Sequence, residues 1–89
     1  MDDIITAEDR KHLSQRFKVG GLGPEATIQY AIDTAHQYAA TYCRDMPAFV
    51  HRLVAQLHVR YLLAGDRGDK LEIRSTIDTV LEVGRSCIR

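Results

Sequence analysis

The sequence of 89 residues has few of the features that mark a secreted or metal-binding protein. Tryptophan and asparagine are absent, so the chain offers no asparagine for N-linked glycosylation. Its two cysteines, Cys43 and Cys87, are too few for a disulfide framework, and their separation is not that of a metal site. We predict that both are reduced thiols in the core of a cytoplasmic protein, where they pack as small apolar side chains.

The chain also lacks a long apolar run and an excess of charge of either sign. No run approaches the roughly 20 apolar residues of a membrane span, and the start Met-Asp-Asp is unlike a signal peptide, so we expect no membrane partner. Twelve basic and twelve acidic residues cancel, which excludes overall steering toward nucleic acid or an anionic surface. A chain this short buries only about 60–65% of its unfolded surface, so it depends on good helix packing or on a partner.

Apolar residues recur at spacings of three and four, which is typical of helices that bury one face. Four segments show this pattern: residues 7–18, 24–43, 46–64 and 70–86. The prediction is an all-α fold with residues 1–89 in a single helical domain, arranged as a small four-helix bundle. The alternative is a three-helix core with a loosely docked N-terminal helix, because only Leu13 and Phe17 give the first segment a clear apolar face.

Glycine is concentrated between the first two predicted helices. Residues 20–23 contain three glycines, which permit backbone dihedrals that other residues avoid. This segment is the best candidate for a hinge, and it makes residues 1–18 a candidate mobile N-terminal helix. After the third helix, Gly65 is expected at the position where a positive φ closes the last turn.

Capping residues precede three of the predicted helices. Thr6 is placed to cap the first helix and Asp45 the third, because a short polar side chain can accept the free amides of a first turn. Asp69 is predicted as the cap of the fourth helix, with Glu72 three residues later in the pattern of a capping box.

The third segment, residues 46–64, is the most informative part of the chain because it is apolar on more than one face and has no acidic residue. Its predicted core stripe consists of Val50, Leu53, Val54, Leu57, Tyr61 and Ala64. A second apolar group falls outside that stripe and consists of Phe49, Val59, Leu62 and Leu63. Either this is the central helix with neighbours on two sides, or the second group meets another chain.

The favoured hypothesis is a non-enzymatic interaction or regulatory module that forms a homodimer or docks on a protein partner. Its predicted interaction residues are Phe49, Val59, Leu62 and Leu63, with Arg52 and Arg60 at the rim and Tyr30 as a further exposed aromatic side chain. Surplus apolar surface in a chain of this size is the observation behind this hypothesis.

Two other function classes remain. A nucleic-acid-binding regulator would use Arg52 and Arg60 together with the basic end of the first helix, which carries Arg10, Lys11, Arg16 and Lys18. An enzyme is less favoured, because the sequence identifies no catalytic residue, no cofactor-binding residue and no metal site. His51 and His58, for example, lie about 10 Å apart along a helix axis, which is too far to share one ion.

Overall fold

The computed structural model describes residues 4–86, and 78% of these residues are helical. Within that range the chain forms four helices and no strand. The helices are α1 (Ala7–Arg16), α2 (Pro24–Tyr42), α3 (Ala48–Leu63) and α4 (Arg67–Ser86). The predicted all-α fold, a small bundle of four helices, is confirmed.

Helix α3 is the centre of the arrangement. It packs on α2 and on α4, while α1 lies on α2 and also reaches α3. Helices α3 and α4 are antiparallel, because Lys70 meets Tyr61 at one end of the pair and Gly84 lies beside Val50 at the other. The shortest dimension of the molecule is 21 Å, which is about two helix diameters.

The core is built from aliphatic side chains of all four helices. The largest fully buried side chains are those of Leu13, Val54, Val59 and Ile77. Three buried alanines, Ala31, Ala35 and Ala39, form a stripe of small residues along α2. Their small side chains let the backbone of α2 come close to its neighbours.

Helix α1 is docked in this structure. Leu13 is completely buried, and Ile4 ahead of the helix is buried as well. Thr6 caps α1 as predicted, because its hydroxyl oxygen accepts the amide of Asp9 at 3.0 Å while the Asp9 carboxylate accepts the amide of Thr6 at 3.2 Å. Whether residues 1–18 move on the glycine segment stays a prediction.

The predicted ends of the other helices need three corrections. Helix α4 begins three residues early, because Asp66 rather than Asp69 supplies the cap: its carboxylate accepts the amide of Gly68 at 3.2 Å. Asp45 does not cap α3, since Pro47 occupies the capping position and no side chain bonds the first turn. Gly65 has no positive φ, because the chain leaves α3 in an extended conformation at Ala64.

Among the described glycines, the positive φ falls at Gly21, with a value of 83°. Gly21 lies in a turn in which the amide of Leu22 donates to the carbonyl of Val19 at 3.1 Å. A positive φ at the third position of such a turn is the feature that favours glycine there. The glycine-rich segment is therefore a tight turn that returns the chain from α1 to α2.

Candidate interaction surface

The second apolar group predicted on α3 is mostly used inside the molecule. Val59 is buried in the core, so its assignment to an exposed surface was wrong. Leu62 and Leu63 are half-buried and pack against the core. The physical reason is that α3 has helices on several sides, as the central-helix interpretation requires, and these cover both of its apolar stripes.

Two apolar side chains of α3 remain exposed. Phe49 keeps 67% of its surface accessible, and Leu53, which the sequence pattern placed in the core, keeps 39%. They are four residues apart and therefore neighbours on one face of the helix. Leu53 therefore belongs to the exposed face of α3 and not to its core stripe.

The register of α4 on α3 puts a third exposed apolar residue, Val83 of α4, on the same side of the molecule as this pair. Gly84 contacts Val50, so the antiparallel register brings Val83 level with Phe49. Val83 is 59% exposed. Val83 lies on the same stripe of α4 as Glu72, and Glu72 lines a depression together with Arg60 of α3. This stripe of α4 therefore faces the same side of the molecule as Arg60. We call Phe49, Leu53 and Val83 the Phe49 surface.

The two predicted rim arginines border this surface on different sides. Arg60 is exposed and lies on the same face of α3 as Leu53, seven residues further along. Arg52 is exposed and lines a neighbouring depression with Phe49, His36 and His51. Helix α3 contains no acidic residue, so the rim that it contributes is purely basic.

Tyr30 does not belong to the Phe49 surface. Its ring stacks on Phe17 at the end of α1, with ring centroids 6.5 Å apart. Tyr30 is also twelve residues from the end of α2 that leads into α3, which is about 18 Å along the helix axis. The sequence identified it correctly as an exposed aromatic, but the structure places it elsewhere on the molecule.

The basic residues proposed for nucleic-acid binding are interspersed with acids. Arg10 forms an exposed ion pair with Glu25, with nitrogen and oxygen 2.5 Å apart. Arg16 and Arg60 line a depression that also contains three carboxylates, those of Asp9, Asp69 and Glu72. A strip of alternating charge would repel phosphates as well as attract them, so the structure adds no support to this hypothesis, which stays a prediction.

A row of aromatic rings crosses from α2 to α3 on another side of the molecule, and sequence reasoning did not predict it. Tyr42 lies against Tyr38, Tyr38 against His58, and His58 against Tyr61, with centroid separations of 4.6, 4.4 and 5.9 Å. Both ring nitrogens of His58 are buried without a hydrogen-bond partner. Burial lowers the pKa of His58 from its ordinary value and raises the pKa of Tyr38.

The remaining cysteine and histidine side chains of the described residues form neither a reactive thiol site nor a metal site. The thiol of Cys43 is buried, as predicted, and burial raises its pKa. Cys87 lies outside the described residues. His36 and His51 meet edge to face at 6.1 Å, but no three His, Cys, Asp or Glu side chains among residues 4–86 are grouped so that they could hold a metal ion.

No family model, curated protein or solved structure matches this chain. Across residues 4–86, no helix combines the length and the apolar character that crossing a membrane would require. The case for a function therefore depends on the surfaces described above.

Proposed function

We propose that this chain is a non-enzymatic interaction protein that forms a homodimer through the Phe49 surface. The observation that carries the proposal is the exposure of Phe49, at 67%, on the same side of the molecule as exposed Leu53 and Val83. Large aromatic side chains supply much of the binding energy at protein interfaces when a partner covers them. Their burial between two copies would also add apolar contacts that a chain of this size has difficulty making alone.

Charge complementarity favours a second copy as the occupant. In an antiparallel contact between two α3 helices, with a twofold axis near Leu53, Arg60 of one copy lies about 10 Å from the axis. Asp45, exposed in the turn before α3, lies at the opposite end of that helix from Arg60, so the twofold axis brings it to the end of the second copy that carries Arg60. Within the part of the chain that the structure describes, Asp45 forms no ion pair. The net charge of zero means that two copies do not repel each other at long range.

Sedimentation equilibrium of the full chain over a wide concentration range tests the proposal. The wild-type chain is expected to dimerise, and Phe49→Glu and Leu53→Glu are expected to be monomeric, because each places a carboxylate in the apolar contact. Leu22→Glu is the matched control: Leu22 is 43% exposed, similar to Leu53, but lies in the turn before α2. Circular dichroism establishes that each variant keeps its helices.

A charge exchange tests the orientation of the two copies. Arg60→Asp and Asp45→Arg are each expected to weaken the dimer, and the two changes together are expected to restore it. A wild-type monomer at every concentration would refute self-association. A dimer unaffected by Phe49→Glu and Leu53→Glu would refute the assigned surface.

The nucleic-acid alternative has no structural observation in its favour. A cytoplasmic location is part of the present proposal, and it rests on cysteine usage alone: two cysteines with no framework spacing are typical of a reducing compartment.

A further inference from the structure

Helix α4 begins with three cationic side chains on one side. Arg67, Lys70 and Arg74 follow at spacings of three and four, so they form one stripe of the helix. Leu71 lies at one edge of this stripe and is 64% exposed. Together with Tyr61 of α3 they line a shallow depression that no acidic side chain lines. We call these five residues the Leu71 surface.

The cations of this surface are poorly compensated within the chain. The ammonium group of Lys70 donates to the carbonyl of Tyr61 at 3.3 Å and lies 4.7 Å from the centroid of the Tyr61 ring. Arg67 and Arg74 make no hydrogen bond or ion pair among residues 4–86.

This arrangement costs stability in the isolated chain. Like charges three and four residues apart on a helix repel each other. Positive charges in a first helical turn also oppose the helix dipole. A negatively charged partner would remove both penalties.

We propose that the Leu71 surface binds an acidic amphipathic helix of a different protein. Leu71 supplies the apolar contact, and the three cations, which lie on one side of Leu71 around α4, match carboxylates beside an apolar stripe on the partner. The planar guanidinium groups of Arg67 and Arg74 each suit a two-point contact with a carboxylate. Lys70, held by the Tyr61 carbonyl, fixes one positive charge in place.

Two observations favour a protein helix over nucleic acid. The face of the Tyr61 ring that could stack on a base is occupied by the Lys70 ammonium group. Asp78 follows Arg74 by one turn in the same stripe, so a phosphate backbone that continued along α4 would meet a negative charge. A short acidic helix needs no stacking on Tyr61, and it avoids Asp78 when it crosses α4 at the Leu71 surface instead of running along α4.

The Leu71 surface is separate from the Phe49 surface. Leu71 and Arg74 lie on the edge of α4 beside Tyr61, whereas Val83 lies on the stripe of Glu72, about 120° around the helix from Leu71 and about 180° from Arg74. A partner helix on one surface therefore leaves the other accessible. The proposal does not depend on self-association.

Fluorescence anisotropy with the full chain tests this inference. The probe is a labelled synthetic peptide of about 18 residues, long enough to become helical, with leucines on one face and glutamates on both sides of that face. A peptide of the same composition in scrambled order and a single-stranded oligonucleotide serve as comparison probes. The amphipathic peptide is expected to bind most tightly.

Matched variants locate the binding. Arg67→Glu with Arg74→Glu is expected to weaken peptide binding by about tenfold or more, because two attractive charges become repulsive. The control variant, Lys11→Glu with Lys18→Glu, changes the net charge by the same amount as the double arginine variant. Its changes lie on α1 and in the turn after it, so it is expected to leave peptide binding unchanged. Leu71→Ser, which alters no charge, is expected to weaken binding of the amphipathic peptide and to leave the scrambled peptide unaffected.

Several outcomes would overturn the inference. Failure of the amphipathic peptide to bind would do so directly, and equal binding of the scrambled peptide would show a charge effect without a helix-shaped site. Tighter binding of the oligonucleotide would identify nucleic acid as the ligand class instead. If circular dichroism shows that the double arginine variant is unfolded, the test of the site passes to Leu71→Ser. Unchanged peptide binding by Leu71→Ser refutes the site.

Discussion

The imidazole of His58 lies almost face to face with the phenol ring of Tyr38, with ring centroids 4.4 Å apart and an angle of 28° between the planes. Tyr61 stacks on His58 at 5.9 Å. Neither nitrogen of His58 has a hydrogen-bond partner in the described part of the chain. The neutral imidazole therefore acts as an aromatic ring that joins α2 to α3, and a positive charge there would be poorly solvated.

Protonation of His58 should make the fold less stable in mild acid. Burial lowers the pKa of His58 in the folded chain below the ordinary value of 6.5. The unfolded chain therefore takes up the proton first as the pH falls, so the stability is fully present above pH 6.5 and is lost progressively below it. Urea unfolding between pH 8 and pH 5 should show a free energy of unfolding that decreases toward the acid end.

Two variants assign that pH dependence. His58→Phe keeps a ring between Tyr38 and Tyr61 without a titrating group, and it should flatten the profile between neutral and mildly acidic pH. His12→Gln, on α1 and away from the stacked rings, should retain the slope that His58 causes. Charged neighbours lie near these rings, with Arg74 and Asp78 close to Tyr38 and Lys70 over Tyr61. An unchanged slope in His58→Phe would show that protonation of His58 is not the cause of the pH dependence.

Gly84 permits the close approach of α4 to the start of α3. A Cβ atom at this position would lie 2.7 Å from Met46 Sδ and 3.1 Å from Val50 Cγ1. Gly84→Leu should therefore lower the free energy of unfolding by about 1–3 kcal/mol through overpacking. Gly68→Ala, in the first turn of α4 with only ordinary contacts, should raise it by up to about 1 kcal/mol. Equal effects of the two changes in urea unfolding would contradict the packing described for Gly84.

Gly21 is required by the turn between α1 and α2. Its φ of 83° lies in the region that side chains with a Cβ atom avoid. Gly21→Ala should destabilise the fold by about 1–2 kcal/mol. Gly20→Ala, which has open space around it and no positive φ, should be close to neutral or slightly stabilising. Thermal unfolding of both variants checks the contrast, and a neutral Gly21→Ala would show that the turn adjusts.

The helix ends show which features could be predicted from residues close together in the sequence. Thr6 caps α1 as predicted, because the bonds that form this cap join residues only three positions apart in the sequence. The start of α4 was assigned to the wrong aspartate, because Asp66 and Asp69 have the same capping chemistry and sequence alone does not rank them. Asp66 allows an additional turn of helix to form, and that turn carries Arg67 of the Leu71 surface.

The candidate site was predicted only in part. Phe49 and the two rim arginines were identified from the pattern of α3, whereas Val59 was placed outside and Leu53 inside, contrary to the structure. Helical periodicity shows which residues share a face, but a helix with two apolar faces does not reveal which neighbour covers each one. Val83 could not be assigned to the same surface, since only the register of α4 on α3 brings it level with Phe49.

The sequence by itself determined the all-α class, the number of helices and the cap of α1, because these depend on periodicity and on bonds within a few residues. Tertiary structure alone decided that α3 is central, that Val59 is buried, and that His58 lies between two tyrosines. Those features depend on how helices distant in sequence cross and in what register, and no short stretch of the chain specifies that geometry.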